Sequence, residues 1–277
     1  MRKKITHNEY KPHFRFFRSR GQFPFNLCMG YELEVQGRDV EHIINRFPWL
    51  YAKDEDSAKG MCEINTHPFN WNWWVQNNGI KYIDEVRSNS KCHVDRKCGI
   101  HVHLSRAWFS RQHLIRMAKL FYANPEFIEH VSQRVKTRSA NHWTALKKAA
   151  NPWLLDEMKR CSTGDDLARI EGKDFNDRYL CGDVVDNLYE ERHVALNFCP
   201  KNTIEIRIFQ STLNPKLIQA YLEFALACAV YTKDARFEDV NIYAYKGLRE
   251  YVRLHASRFP NLHSSNLMYS CCHSWKS

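Results

Sequence analysis

Three short runs of the chain alternate between hydrocarbon and ionisable side chains: Gly30-Tyr-Glu-Leu-Glu-Val35, Gly99-Ile-His-Val-His-Leu104 and Thr203-Ile-Glu-Ile-Arg-Ile208. A period of two marks a β-strand with one buried and one polar face. On that reading Glu32 and Glu34 share a face, as do His101 with His103 and Glu205 with Arg207, while Leu33, Val102 and Ile206 point into the opposite layer. Other stretches carry the helical period. Val40, Ile43, Ile44 and Phe47 predict a helix over 39–47, and a second is expected from Trp71 to Arg87. Tyr51 to Lys53 and Gly60 to Asn65 read as a hairpin turning at Asp54-Glu-Asp-Ser57. Asn-Pro pairs at 124–125, 151–152 and 214–215 each set a capping side chain before a proline at the first helical position, so each opens a helix. The last of these, Lys216 to Tyr231, is almost wholly apolar and is expected to lie buried against the sheet. At helical spacing, Trp71, Trp73 and Trp74 read as helix–sheet packing ahead of a ligand-stacking wall.

Composition narrows the class. With 277 residues, 44% of them hydrophobic, the chain has enough apolar material for a substantial core, and no Pro/Gly/Ser-rich linker divides it. One domain over 1–277 is expected, comprising a basic segment (1–25), a motif-bearing core (30–215) and a C-terminal helical part (216–277). No apolar run reaches the roughly 18 residues of a membrane span, and the first residues lack the apolar centre of a secretory signal; a cytoplasmic protein without membrane contact is the expectation. The ten cysteines are scattered and expected to be reduced. Cys92, Cys98, Cys271, Cys272 and His273 form no paired Cys-x-x-Cys framework, so ordinary thiols are favoured over a structural zinc site.

The formal charge is +10, and residues 1–20 carry seven Lys/Arg against one Glu. Such a balance attracts negatively charged partners. The basic and aromatic run His13-Phe-Arg-Phe-Phe-Arg18 suits nucleic acid, a first strand with exposed arginines, or anionic substrates and nucleotides, and a solvated basic surface accounts for it equally well. Nucleic acid is therefore not the favoured partner.

The paired ionisable residues change the picture most. A solvent-facing sheet surface ordinarily mixes Thr, Lys and both charges, whereas Glu-x-Glu without a nearby Lys concentrates repulsion that a cation relieves. Carboxylates are the donors that Mg²⁺ and Mn²⁺ prefer, and Cα atoms two residues apart on a strand are separated by about 6.7 Å, enough to serve neighbouring ions. Glu63 lies in a third acidic run, Met61-Cys-Glu-Ile-Asn-Thr-His-Pro68, and taken alone reads as a surface residue. A histidine beside carboxylates fits a metal site, and the second ring of a His-x-His pair can donate to phosphate.

The run Cys98-Gly-Ile-His-Val-His-Leu-Ser105 resembles the Gly-x-His-x-His-x-Ser strand of the glutamine synthetase catalytic fold, with Gly30-Tyr-Glu-Leu-Glu34 and Thr203-Ile-Glu-Ile-Arg-Ile-Phe209 resembling its Glu-x-Glu and Glu-x-Arg strands. The amidoligase family of carboxylate–amine ligases is a closer resemblance. Its ordered pattern is matched by Glu32, Glu34, Asp56 or its neighbours, Ser57, Glu63, Pro68, His101, His103, Arg192, Asn197, Thr203, Glu205, Arg207, Thr212 and Leu213.

The resemblance implies an α+β fold with a mainly antiparallel, curved sheet of glutamine synthetase catalytic-domain type, covered by helices. It implies ATP and a pair of divalent cations, Glu32, His101 and Glu205 holding one Mg²⁺ or Mn²⁺ while Glu34 and Glu63 hold a second. His103 and Arg134 are implied nucleotide contacts, and Arg192 and Arg207 are implied to neutralise transferring phosphate or substrate carboxylate, a task suited to the planar guanidinium fork. The partners so implied are a carboxylic acid and an amine, each supplied by an amino acid, a peptide, a cell-wall fragment or a protein side chain. Glutamine synthetase carries an arginine where Thr203 stands, a departure from that pattern. Two other classes are weighed: a transition-metal hydrolase or oxygenase using His-x-His plus Glu, which needs no ATP, and a basic non-enzymatic nucleic-acid-binding or assembly protein.

Overall fold

A computed structural model describes residues 3–7, 12–20, 26–54, 60–134, 195–197, 200–236, 239–240 and 244–268. The three alternating runs are strands of one sheet: β1 (Cys28–Gln36), β5 (Gly99–Ser105) and β7 (Thr203–Gln210). With β2 (Leu50–Asp54), β3 (Met61–Thr66) and β6 (Leu196–Asn197) they follow the order β2-β3-β1-β5-β7-β6, and the short β4 (Phe69–Asn70) also pairs with β1. The named strand pairs are antiparallel, so the fold is α+β around an open, mainly antiparallel, curved sheet. The expected hairpin is present as β2 and β3; its turn at 55–59 lies outside the described residues.

The apolar face of the sheet is fully covered. Leu33, Val35, Ile64, Ile100, Val102 and Ile206 have no exposed surface. Behind them run α4 (Arg111–Tyr122), α5 (Pro125–Ser132) and the long α6 (Pro215–Asp234). The Asn214 side chain accepts from the Lys216 amide and Pro215 starts the helix, as the Asn-Pro pattern predicts. From α6, Tyr221 stacks on Phe209 with ring centroids 4.3 Å apart. Each large side chain so buried stabilises the fold by about 1.5–3 kcal/mol. Asn124 differs from its predicted role: its amide donates to the Leu120 carbonyl at 2.9 Å and makes no cap bond to α5, so it finishes α4. The helix expected at Asn151-Pro152 lies outside the described residues.

The helix over 39–47 is α1 (Glu41–Arg46), but the single helix expected from Trp71 to Arg87 is divided. It forms α2 (Trp71–Gln76), a 3₁₀ turn at Gly79–Lys81 and α3 (Tyr82–Ser88). The break comes from Asn78, which takes the left-handed conformation (φ 47), and from Gly79, which packs against the Trp74 ring. A Cβ on Gly79 would sit 2.2 Å from that ring, so the fully buried indole dictates a glycine there. Trp71 is also buried, and Trp73 packs on Phe17 and Trp49, so the tryptophans form core. Cys28, Cys62, Cys92, Cys98 and Cys228 are buried free thiols; Cys271, Cys272 and His273 lie outside the described residues.

The basic N-terminal segment is tied to the sheet margin. Thr6 bridges β2 in parallel, donating its amide to Ala52 and accepting from the Asp54 amide, which covers an otherwise open strand edge. Lys3 Nζ donates to the carbonyls of Ile44, Phe47 and Leu50 at 2.8–2.9 Å, tying the C-terminal end of α1 to the start of β2. Further on, Phe17 bridges Phe69, and Ser19 exchanges hydrogen bonds with the Asn70 side chain. Among the described residues no helix is long and apolar enough to cross a membrane.

Glu223, fully buried on α6, caps a neighbouring helix, α7 being Ala244–Leu254 and α8 Pro260–Ser264. Its carboxylate accepts from Asn261 Nδ2 and the Leu262 amide of α8, both at 2.7 Å. Burial outweighs these hydrogen bonds and pushes its pKa from 4.5 up to about 7. A raised carboxylate pKa means that this group's contribution to stability is complete below the unfolded value and is lost as pH climbs through the folded one. Between pH 5 and 8 the wild-type protein should therefore lose stability relative to Glu223→Gln, by on the order of 2–3 kcal/mol in urea unfolding. A pH-independent difference between the two proteins would contradict this.

Candidate active site

Register decides which ionisable side chains meet. Glu32 on β1 stands opposite His101 on β5 and Asn65 on β3, and Asn65 stands opposite Tyr51 on β2. Glu34 faces Glu63, which faces Lys53. His103 stands between Gly30 and Glu205, and Glu205 pairs with Asn197. Directly opposed residues of antiparallel strands project to the same side, so these rows form one polar surface.

The central contacts are short. His101 Nδ1 lies 3.1 Å from Glu32 Oε2 and 3.5 Å from Glu205 Oε1, while its Nε2 lies 3.6 Å from Glu34 Oε1. His103 Nε2 lies 3.2 Å from Glu32 Oε1, and its Nδ1 is 3.3 Å from the Thr203 hydroxyl. Glu205 accepts from Arg207 Nη1 on one oxygen and from Asn197 Nδ2, at 2.8 Å, on the other. The Gly99 amide donates to Glu34 Oε2 at 2.6 Å. One donor atom each from Glu32, His101 and Glu205 falls within 4.8 Å of the others, a set of two carboxylates and an imidazole drawn from three adjacent strands.

A bulge shapes this surface. Val102 pairs with Ile206 but Ile100 pairs with Phe209, so Arg207 and Ile208 together face His101. Glu205 and Arg207 therefore stay on the polar side while Phe209 returns to the core, which is why Ile208 and Phe209 are both buried. Arg134 serves the bulged strand: Nε donates to the Ile208 carbonyl and Nη2 to the Phe209 carbonyl, both at 3.1 Å. Gly99 accommodates this guanidinium, since a Cβ there would lie 2.6 Å from Arg134 Nη2 and 3.3 Å from His101 Nε2.

Charge interactions overcome desolvation at the centre. Burial by itself would raise the Glu32 pKa, but the charges and hydrogen bonds of His103 and His101 hold it well below the usual carboxylate range. Glu205 is likewise lowered against its burial, first by Arg207 and then by the two histidines. Burial opposes protonation of His103, yet Glu32 and Glu205 raise its pKa. For Arg134 burial wins and lowers the pKa, with Glu34 partly offsetting it.

The structure thus brings Glu32, His101, His103, Glu205, Arg207 and Asn197 together and sets Arg134 beside them on the bulge. Glu34 and Glu63 stand opposite each other, with Asn65 Nδ2 3.4 Å from Glu63 Oε2, adjacent to the three-residue cluster. Arg192, Asp56 and Ser57 lie outside the described residues. Two oxygen donors and one imidazole, in a region of concentrated negative charge, fit a hard divalent cation such as Mg²⁺ or Mn²⁺. The sequence reading missed Asn65, Tyr51 and Lys53 as members of the same face, and it missed the bulge; the adjacent apolar pair Ile208-Phe209, which interrupts the alternation, was its visible signal.

A family model described as "Putative amidoligase enzyme" matches residues 49–229, a span that includes Glu63, His101, His103, Arg134, Asn197, Glu205 and Arg207. No curated protein matches the chain.

Arg134→Ala would leave the Ile208 and Phe209 carbonyls without their guanidinium partner. Urea unfolding should show a loss of about 2–4 kcal/mol, on the scale of two hydrogen bonds to a charged donor. Arg134→Lys should recover less than half, because an ammonium lacks the planar fork. Wild-type stability in Arg134→Ala would overturn the assignment of Arg134 as the clamp of the bulge.

Proposed function

The chain belongs to the amidoligase family, whose name denotes ligase chemistry, and from that premise we propose that it is an ATP-dependent carboxylate–amine ligase working through an acyl phosphate. The observation that carries this reading is the convergence of Glu32, His101 and Glu205, with Arg207 bound to Glu205. These three residues would hold one Mg²⁺ or Mn²⁺, and Glu34 with Glu63 a second. Bound there, the cations supply positive charge to phosphate oxygens.

The chain's own groups have distinct tasks in this mechanism. Arg207, next to Glu205 on the open side of the sheet, offsets negative charge as a substrate carboxylate approaches the γ-phosphate of ATP. The carboxylate oxygen bonds to that phosphorus as the bond to ADP breaks, giving an acyl phosphate. His103 is held between the Thr203 hydroxyl at Nδ1 and Glu32 at Nε2, which fixes its ring beside the position a phosphate oxygen would take. An amine then attacks the acyl carbon, phosphate leaves, and the nitrogen gives up its proton to a base, completing the amide. Arg192 joins the phosphate contacts on the strength of the family pattern, and Arg134 acts by holding the bulge that aims Arg207. The chain contains no Gly-x-x-x-x-Gly-Lys-Ser/Thr loop, so arginines and cations take the part of a P-loop.

ADP release from ATP is expected only with Mg²⁺ or Mn²⁺ and a matching acid and amine, found by screening pooled candidates. Glu205→Ala should reduce that release by at least ~10²-fold, comparable to removing a group that stabilises transition-state charge, while circular dichroism stays unchanged. Turnover indifferent to both metal and Glu205 would reject the proposal.

A further inference from the structure

The polar surface does not end at the carboxylates. From Glu32 the register leads across Asn65 to Tyr51, a reach of two strand spacings or about 10 Å. There the Tyr51 ring lies 5.1 Å from the ring of His67, the residue that follows β3. The N-terminal segment closes over the same imidazole: Phe14 meets it edge-on at 6.3 Å and Phe17 lies at the same centroid distance. His67 is 93% buried, with 7% of its surface exposed, yet its Nδ1 is sealed from solvent without a hydrogen-bond partner. Leaving such an atom unpaired costs about 1–3 kcal/mol.

The rim of this aromatic end is cationic. Lys53 Nζ lies 6.0 Å from the centroid of the Tyr51 ring, and Arg15 is exposed between Phe14 and Phe16. Lys3 is nearby, but its ammonium is committed to the carbonyls of Ile44, Phe47 and Leu50. Burial, followed by the positive charges of Lys3 and Arg15, depresses the His67 pKa to about 4, so the ring is neutral at neutral pH. Neutral imidazole, aromatic walls and peripheral cations favour a planar apolar body that ends in an anion. The base of a nucleotide has the planar body but no anionic end to match Arg15 and Lys53.

We infer that this end of the sheet is the subsite for the acid substrate, which carries a planar apolar segment seated against His67, Tyr51, Phe14 and Phe17 and an anionic group facing Arg15 and Lys53. The inference rests on the ligase reading for the role of that substrate, but not for the existence of the subsite. Its place on the sheet puts the far end of such a molecule within reach of Glu32, where the reacting carboxylate belongs.

The test is a titration of His67 imidazole NMR signals with phenylacetate, in the absence of nucleotide and divalent cation. Phenylacetate should shift the His67 signals, and its dissociation constant should rise about tenfold or more in Arg15→Ala and in Phe14→Ala. Both side chains are exposed, and unchanged amide spectra elsewhere will show that the variants are folded. Acetate and benzylamine should leave His67 unmoved, and Glu205→Gln should bind phenylacetate like wild type. No shift with phenylacetate, or a shift that survives both Arg15→Ala and Phe14→Ala, would overturn the subsite. So would a His67 shift with adenosine that depends on the same residues. Because the titration contains neither ATP nor metal, its result is independent of whether ADP release is observed.

Discussion

Everything in this protein's polar face depends on holding carboxylates close together against their mutual repulsion. Two unit charges about 5 Å apart oppose one another by about 3 kcal/mol at an effective dielectric constant near 20. Glu32, Glu34, Glu63 and Glu205 project from one sheet surface, with Glu34 and Glu63 directly opposed. The opposite surface supplies the restraint. Leu33, Val102 and Ile206 are wholly buried there, each contributing about 1.5–3 kcal/mol. The strands cannot slip to separate the carboxylates without turning those side chains out to water. His103 and Arg207 lie among the carboxylates and supply countercharge, where a divalent cation would supply more, and His101 sits 3.1–3.6 Å from Glu32, Glu34 and Glu205.

The bulge opposite His101 makes a second, finer adjustment. Regular alternation would have put Phe209 on the polar side after Glu205 and Arg207. With the extra residue, Phe209 packs on Tyr221 in the core while Arg207 stays beside Glu205. That distortion leaves strand carbonyls for Arg134 to satisfy, and Gly99 leaves room for the guanidinium. The core, the bulge and the ionisable cluster are therefore coupled: the packing of an aromatic side chain on one face sets the direction of an arginine on the other.

The alternation in 30–35, 99–104 and 203–208 was legible because a period of two reports the two faces of a strand directly, and Asn214-Pro215 reported the start of the long helix through capping and a fixed φ. Features that depend on distant partners were not legible. The break at Asn78-Gly79 arises from the seating of Trp74, and the clamp on β7 comes from Arg134, 74 positions away from Ile208. Strand pairing was likewise hidden in the local pattern, so the rows joining Glu32 to Asn65 and Tyr51 became visible only with the register. The family resemblance connected the separate motifs, and the structure supplied the geometry in which Glu32, His101 and Glu205 meet. Arg192 falls outside the residues that geometry describes.

The central claim is that these three strands build a divalent-cation site, and Mn²⁺ binding followed by electron paramagnetic resonance tests it without requiring any substrate. The wild-type protein should remove free Mn²⁺ from solution, with its apparent affinity at least ~10-fold weaker in Glu32→Gln and in Glu205→Gln, a loss of about 1.4 kcal/mol or more. Equal Mn²⁺ uptake by all three proteins would contradict the account.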